Sequence, residues 1–119
     1  MQFLKHDKFE REFSKIKHND IYKSLELIEN LLEKQFDFHF PKIIIPPGKL
    51  HRVASGENYE IWKIEMLVKG LRPNQWPRIW FMINSNVVTF LSVGLHQDNY
   101  NNNQKDREAT DRALDFLDF

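Results

Sequence analysis

Residues 60–94 read EIWKIEMLVKGLRPNQWPRIWFMINSNVVTFLSVG. Three runs in this stretch, EIWKIEML, RIWFMIN and VVTFLSVG, are rich in β-branched and aromatic residues. Turn-forming residues separate them, which is how consecutive antiparallel strands look in sequence. Cations sit in or beside the strands, namely Lys63, Lys69, Arg72 and Arg78, and the last run leads directly into Gly94-Leu95-His96-Gln97-Asp98-Asn99-Tyr100. The expected meander is Tyr59–Val68, Arg78–Ile83 and Val87–Val93, with Lys49–Ala54 as a first strand joined through the turn Ser55-Gly56-Glu57-Asn58.

Outward from the sheet, helical spacing takes over. Asp7 and Glu10 fit a capping box ahead of Phe9, Phe13 and Ile16, which predicts a short helix. Asn19 or Asp20 caps a second helix with the stripe Ile21, Leu25, Ile28 and Leu32, while Lys23, Glu26, Glu29, Glu33 and Lys34 face water. Residues 2–4 suit a short strand. Phe36–Phe40 and Ile43–Ile45 are strand-like but are cut by Pro41 and by Pro46-Pro47-Gly48, so any strand there is short and peripheral. From Gln104 onward, Ala109, Ala113, Phe116 and Leu117 recur at helical spacing. The expected fold is one α+β domain over residues 1–119: an antiparallel sheet covered by two N-terminal helices, with a C-terminal helix.

Composition narrows the function classes. At 119 residues, 41% of them hydrophobic, the chain can bury one modest core and is not wholly disordered. No apolar run reaches bilayer length, the charged N-terminus is unlike a secretory signal, and the Cys count of 0 removes disulfides and thiolate metal sites. A cytoplasmic location is the default expectation. The formal charge of +0 is unevenly spread: residues 1–41 carry −1, residues 42–80 carry +4 and residues 81–119 carry −3. A basic middle can engage phosphates locally, or can simply be solvated surface charge.

Phosphate-loop, dinucleotide, HExxH and GxSxG patterns are absent. The remaining candidates are cationic and aromatic. In Ile61-Trp62-Lys63-Ile64-Glu65-Met66 the even positions are the better core candidates, leaving Lys63 and Glu65 open to ligand or solvent. Lys63 and Arg78 fall on neighbouring positions of one face if their strands are adjacent, although ordinary cross-strand charge pairing accounts for the same residues. His96, after a strand end and a glycine, can move a proton near neutral pH or be an inert surface histidine. Tyr100, Trp76 and Trp80 can stack on bases or serve as core.

The order Trp62-Lys63-Ile64, Arg78-Ile79-Trp80-Phe81, Ser92-Val93-Gly94, His96 and Tyr100 resembles the RelE/ParE superfamily of bacterial toxins. The match is strongest from Tyr59 to about Tyr100, and the helix order extends it over nearly the whole chain. Glu65 stands where a second lysine often occurs in that family, and the Lys69–Pro77 loop is longer than in its compact members. The resemblance implies a toxin of a type II toxin–antitoxin system, an endoribonuclease that cleaves mRNA on the ribosome without metal or cofactor. It implies charge stabilisation by Lys63 and Arg78, proton transfer by His96 with Glu65 as a possible base, and RNA contacts from Arg52, Lys69, Arg72 and Tyr100. It further implies a cognate antitoxin laid along the sheet and basic region, and no membrane partner. The alternatives are a non-catalytic toxin on the same scaffold that poisons a target by binding it, and a phage-borne protein-interaction module.

Overall fold

In the computed structural model, which describes residues 1–36, 49–95 and 101–117, the chain is α+β. Five strands form one sheet: β1 (Gln2–Lys5), β2 (Leu50–Ser55), β3 (Glu60–Glu65), β4 (Arg78–Asn84) and β5 (Val87–Gly94). Their spatial order is β1-β5-β4-β3-β2. Strands β2 to β5 form the expected antiparallel meander, but β1 pairs with β5 in parallel, so the sheet is mixed at one edge. Three helices accompany it: α1 (Asp7–Ser14), α2 (Ile21–Gln35) and α3 (Asn102–Ala113).

Local chemistry explains the boundaries. Strand β3 stops at Glu65 rather than Val68: the Met66 amide still donates to the Pro77 carbonyl at 2.8 Å, but proline has no N–H to return the next ladder bond. In the turn from β2 to β3, a Cβ on Gly56 would lie 2.2 Å from the Tyr59 ring, so any side chain there would displace that ring. The two-residue turn from β4 to β5 places Ser85 at φ 54, in the left-handed region. Helix α1 is capped by His6, not Asp7: the His6 Nδ1 accepts from the Lys8 amide at 3.1 Å, and Asp7 is already helical. Helix α3 begins before Gln104, where the Asn101 side chain accepts the Gln104 amide, and it ends at Ala113. Phe116 therefore belongs to a following 3-10 turn, Leu114–Phe116. Of the strand-like Phe36–Phe40, Phe36 is the C-cap of α2; the rest of that run and Ile43–Ile45 lie outside the described residues.

Both faces of the sheet are covered. On one, Phe9 and Phe13 of α1 and the α2 stripe Ile21, Leu25, Ile28 and Leu32 pack on Ile64, Ile79, Phe81, Val88 and Phe90. On the other, Ala109 and Ala113 of α3 close over Ile61, Trp80, Met82 and Leu91. Two bulges feed this second face. The register shifts between Arg52 and Ala54, and again opposite Trp80/Phe81, where Leu91 is the extra residue. A bulge lets consecutive residues project to one side. Val53 with Ala54 on β2, and Leu91 beside the buried Ser92 on β5, therefore all lie on the α3 side. Among the described residues no helix is long and apolar enough to cross a membrane.

A part-buried ion pair joins the two layers. Strand β1 ends at Lys5, opposite Phe90, so the rest of β5 has no neighbouring strand on that side. Side chains replace it. The Arg112 Nη1 donates to the Leu91 carbonyl at 2.8 Å, the Lys105 Nζ donates to the Val93 carbonyl at 3.3 Å, and the Val93 amide hydrogen-bonds Glu12. Arg112 also grips Glu12 through both terminal nitrogens, at 2.8 and 2.9 Å, and meets Glu108. Burial raises the proton affinity of the Glu12 carboxyl, but the hydrogen bonds and charge of Arg112 outweigh it and hold the pKa below its ordinary value. Replacing Arg112 by Met is expected to cost about 3 kcal/mol in urea denaturation, because Glu12 is left without its partner. The sign of the pH effect follows from the depressed pKa. The pair's contribution is intact above the ordinary carboxyl value of 4.5 and is lost as pH falls through the folded value, so Glu12→Gln should flatten the acid limb of the stability profile.

Candidate functional site

Alternation and register assemble the cationic face. Ile61, Lys63 and Glu65 project to one side of β3. Across the ladder Glu65 stands opposite Arg78, and Lys63 stands opposite Trp80 on one side and His51 on the other. Strand β5 extends both rows, with Ser92 opposite Trp80 and Gly94 opposite Arg78. Lys63 and Arg78 thus share a face as expected, placed diagonally with Glu65 and Trp80 completing the square.

Charges on this face are interlocked. Glu65 is held from two sides, its Oε2 by the Lys49 Nζ at 2.9 Å and its Oε1 near an Arg78 nitrogen at 3.7 Å. The Lys49 ammonium also lies 5.4 Å from the Trp76 ring centroid, within cation–π range. One row further in, Asp106 of α3 accepts from the Trp80 Nε1 at 2.7 Å and pairs with the Lys63 Nζ at 3.4 Å. Three cations, Lys49, Lys63 and Arg78, therefore meet the two carboxylates Glu65 and Asp106 on this face. The side chains of Lys63, Glu65 and Arg78 are only 18%, 20% and 27% exposed.

The face is not open in the way alternation predicts. Ile61 and Trp80 are fully buried on it beneath α3, so the odd positions of β3 carry a core of their own. Lys63, Glu65 and Arg78 lie where that cover ends. Trp62, expected in the core, is only half-buried: it packs edge-on against Phe36 and donates its Nε1 to Glu60 at 2.9 Å. Trp80 is core, and its polar edge is satisfied by Asp106 rather than offered to a ligand.

The remaining candidates scatter. Lys69 and Arg72 are exposed on the segment between β3 and β4, where a 3-10 turn at Pro73–Gln75 is closed by the Gln75 side chain accepting the Arg72 amide. Arg52 stands opposite Trp62, on the other side of the sheet from Lys63, and lies 3.8 Å from Glu60. His96 and Tyr100 lie outside the described residues; the strand that precedes them ends at Gly94, beside Arg78. Among the described residues no group of three or more His, Asp or Glu is placed to hold a metal ion.

Lys49, His51 and Asp106 belong to this face and are absent from the sequence-based set. A hairpin without a bulge, extended from the Ser55–Glu60 pair, would put Leu50 opposite Glu65; the shift at Val53 brings Lys49 there instead. Asp106 carried no signal, because helical spacing does not tell which polar residue of α3 turns toward the sheet. Comparison with protein-family models, curated proteins and solved structures found no match. Replacing Asp106 by Ala should destabilise the fold by about 1–3 kcal/mol, since it strands the buried Trp80 N–H. A double-mutant cycle with Trp80→Phe checks the cause, as most of that cost should vanish once the indole N–H is gone.

Proposed function

We propose that the chain is a RelE/ParE-like toxin that cleaves mRNA on the ribosome and is held in check by a cognate antitoxin. The observation that carries this reading is the placement of Lys63, Glu65 and Arg78 on one half-buried face, beside the strand end that leads to His96 and Tyr100. A partly desolvated cluster of fixed cations suits a phosphodiester that gains charge during reaction, because the cations there need no reorganisation.

In the proposed reaction the ribose 2′-oxygen attacks the adjacent phosphorus as its proton passes to a base. The bond from phosphorus to the 5′-oxygen then breaks, and that oxygen takes up a proton. The products are a 2′,3′-cyclic phosphate and a 5′-hydroxyl, with no change in oxidation state. Arg78 and Lys63 stabilise the equatorial oxygens of the phosphorane. His96 handles proton transfer. Both oxygens of Glu65 are engaged by cations, which suits it to aiming Lys49 and Arg78 rather than to acting first as base. Lys69 and Arg72, exposed on the neighbouring loop, suit contacts to flanking phosphates, as does Tyr100; Arg52, on the opposite side of the sheet, suits a contact outside the cleavage region.

A second reading is favoured by one observation. Asp106 neutralises Lys63, and α3 buries Trp80, so the same face can be a closed structural layer in a protein-interaction module on the same scaffold. Translating ribosomes mixed with the protein separate the two. On the endonuclease reading, mapped mRNA ends acquire codon-phased 5′-hydroxyl termini. Arg78→Ala should then lower the single-turnover rate by about 10²–10³, and His96→Ala by about 10²–10⁴. Absence of new ends, or ends unchanged in the double variant, sinks the reading.

A further inference from the structure

A cleft of about 670 Å³ opens between the α1–α2 connection and the loop that joins β3 to β4. Its floor is apolar, formed by Ile16, Ile21, Leu71 and Pro77, and its rim carries Lys15, Lys17 and His18. Among the described residues no carboxylate lines it. Its size falls in the range of small-molecule sites.

His18 is set in one orientation. Its Nδ1 accepts the Asp20 amide at 3.2 Å, so that nitrogen carries no proton and Nε2 is the N–H donor. The Nε2 lies over Gly70, 3.8 Å from where a Cβ would stand, and Gly70 sits at φ +94, a conformation that favours glycine. No hydrogen-bond partner for that N–H is found among the described residues. The cleft thus holds an aimed donor flanked by two exposed ammonium groups above an apolar floor.

Position links it to the cationic face. Pro77 and Leu95 both line the cleft, and they are the immediate chain neighbours of Arg78 and Gly94, which pair across the ladder. The cleft thus opens at the end of the sheet where Arg78 stands, although its lining belongs to the α1–α2 side.

We infer that this cleft is a nucleotide subsite for single-stranded RNA, seating one base on the apolar floor and the adjoining phosphate on His18, Lys15 and Lys17. The inference rests on the RNA reading of the Lys63–Arg78 face, and its test separates binding from cleavage. The probe is a short fluorescein-labelled RNA with 2′-O-methyl groups throughout, which cannot undergo attack by a 2′-hydroxyl. Anisotropy titrations of the full chain are run over a series of salt concentrations. Lys15→Ala/Lys17→Ala is expected to weaken binding roughly tenfold at low salt and to reduce the salt slope by about 0.7, the share of one phosphate contact on a single strand. His18→Ala should weaken binding without changing the slope as much, and Lys15→Arg/Lys17→Arg should retain affinity. Thermal unfolding should be unchanged in both lysine variants, since those side chains are exposed. An unresponsive wild-type protein, or a Lys15→Ala/Lys17→Ala variant that binds as tightly as wild type, overturns the subsite. Displacement of the RNA by poly-glutamate at equal charge also overturns it, because the rim would then be a docking place for an acidic protein segment. RNA binding through Lys15 and Lys17 without ribosomal cleavage would leave the subsite standing and remove the endonuclease reading.

Discussion

A strand that stops early sets the main constraint on this fold. Strand β1 covers β5 only as far as Phe90, and the backbone groups beyond it would otherwise face a partly apolar interior unpaired. Arg112, Lys105 and Glu12 take the place of the missing strand. Because Arg112 and Lys105 come from α3 and Glu12 from α1, one act of hydrogen bonding ties together both layers that sandwich the sheet. His6 adds a second tie near the same edge, where its Nε2 meets Asp115 at 2.7 Å. The Arg112 Nε is buried without a partner among the described residues, so the clamp is strong in charge and incomplete in hydrogen bonding.

The two faces of the sheet are asymmetric, and the candidate site is a product of that asymmetry. Long apolar side chains of α1 and α2 fill one side. On the other, α3 offers Ala109 and Ala113, whose small size lets the helix approach Trp80 and Ile61 closely. Close approach brings Asp106 within reach of the indole and of Lys63. The helix cannot cover the ends of β3 and β4 as well, and Glu65, Arg78 and Lys49 remain at the rim of its footprint. A half-buried charge cluster is what remains where a short helix lies over a longer sheet.

Much of the architecture was legible in residue order. The stripe Ile21, Leu25, Ile28 and Leu32 has helical period and is buried as that period requires, and the runs containing Ile64, Phe81 and Phe90 are strands in the expected order. Alternation also placed Lys63, Glu65 and Arg78 together. It did not reveal which face was covered, because period two divides a strand into two sides without saying what lies on each. Ile61 and Trp80 were the overlooked hint, being large apolar residues on the side assigned to solvent. Bulges at Val53 and Leu91 hid Lys49 from Glu65 and turned Ser92 toward Glu108, since a single inserted residue breaks the parity on which such reasoning relies. The capping role of His6 was missed for a different reason: an unprotonated imidazole nitrogen can accept an amide hydrogen bond, but histidine is seldom read as a cap. The chemistry assigned to His96 and Tyr100 rests on residue type and resemblance, as both lie outside the described residues.

The side-chain substitute for a strand has a consequence for vectorial synthesis. Glu12 and Arg112 are 100 positions apart, so the nascent sheet cannot be clamped to α1 until most of the chain has been made. Leu91 precedes Arg112 by 21 positions. At about 5–20 residues per second, the outer edge of β5 is made about 1–4 s before the side chain that covers it. Until α3 docks on the sheet, that strand edge is open to pairing with another chain.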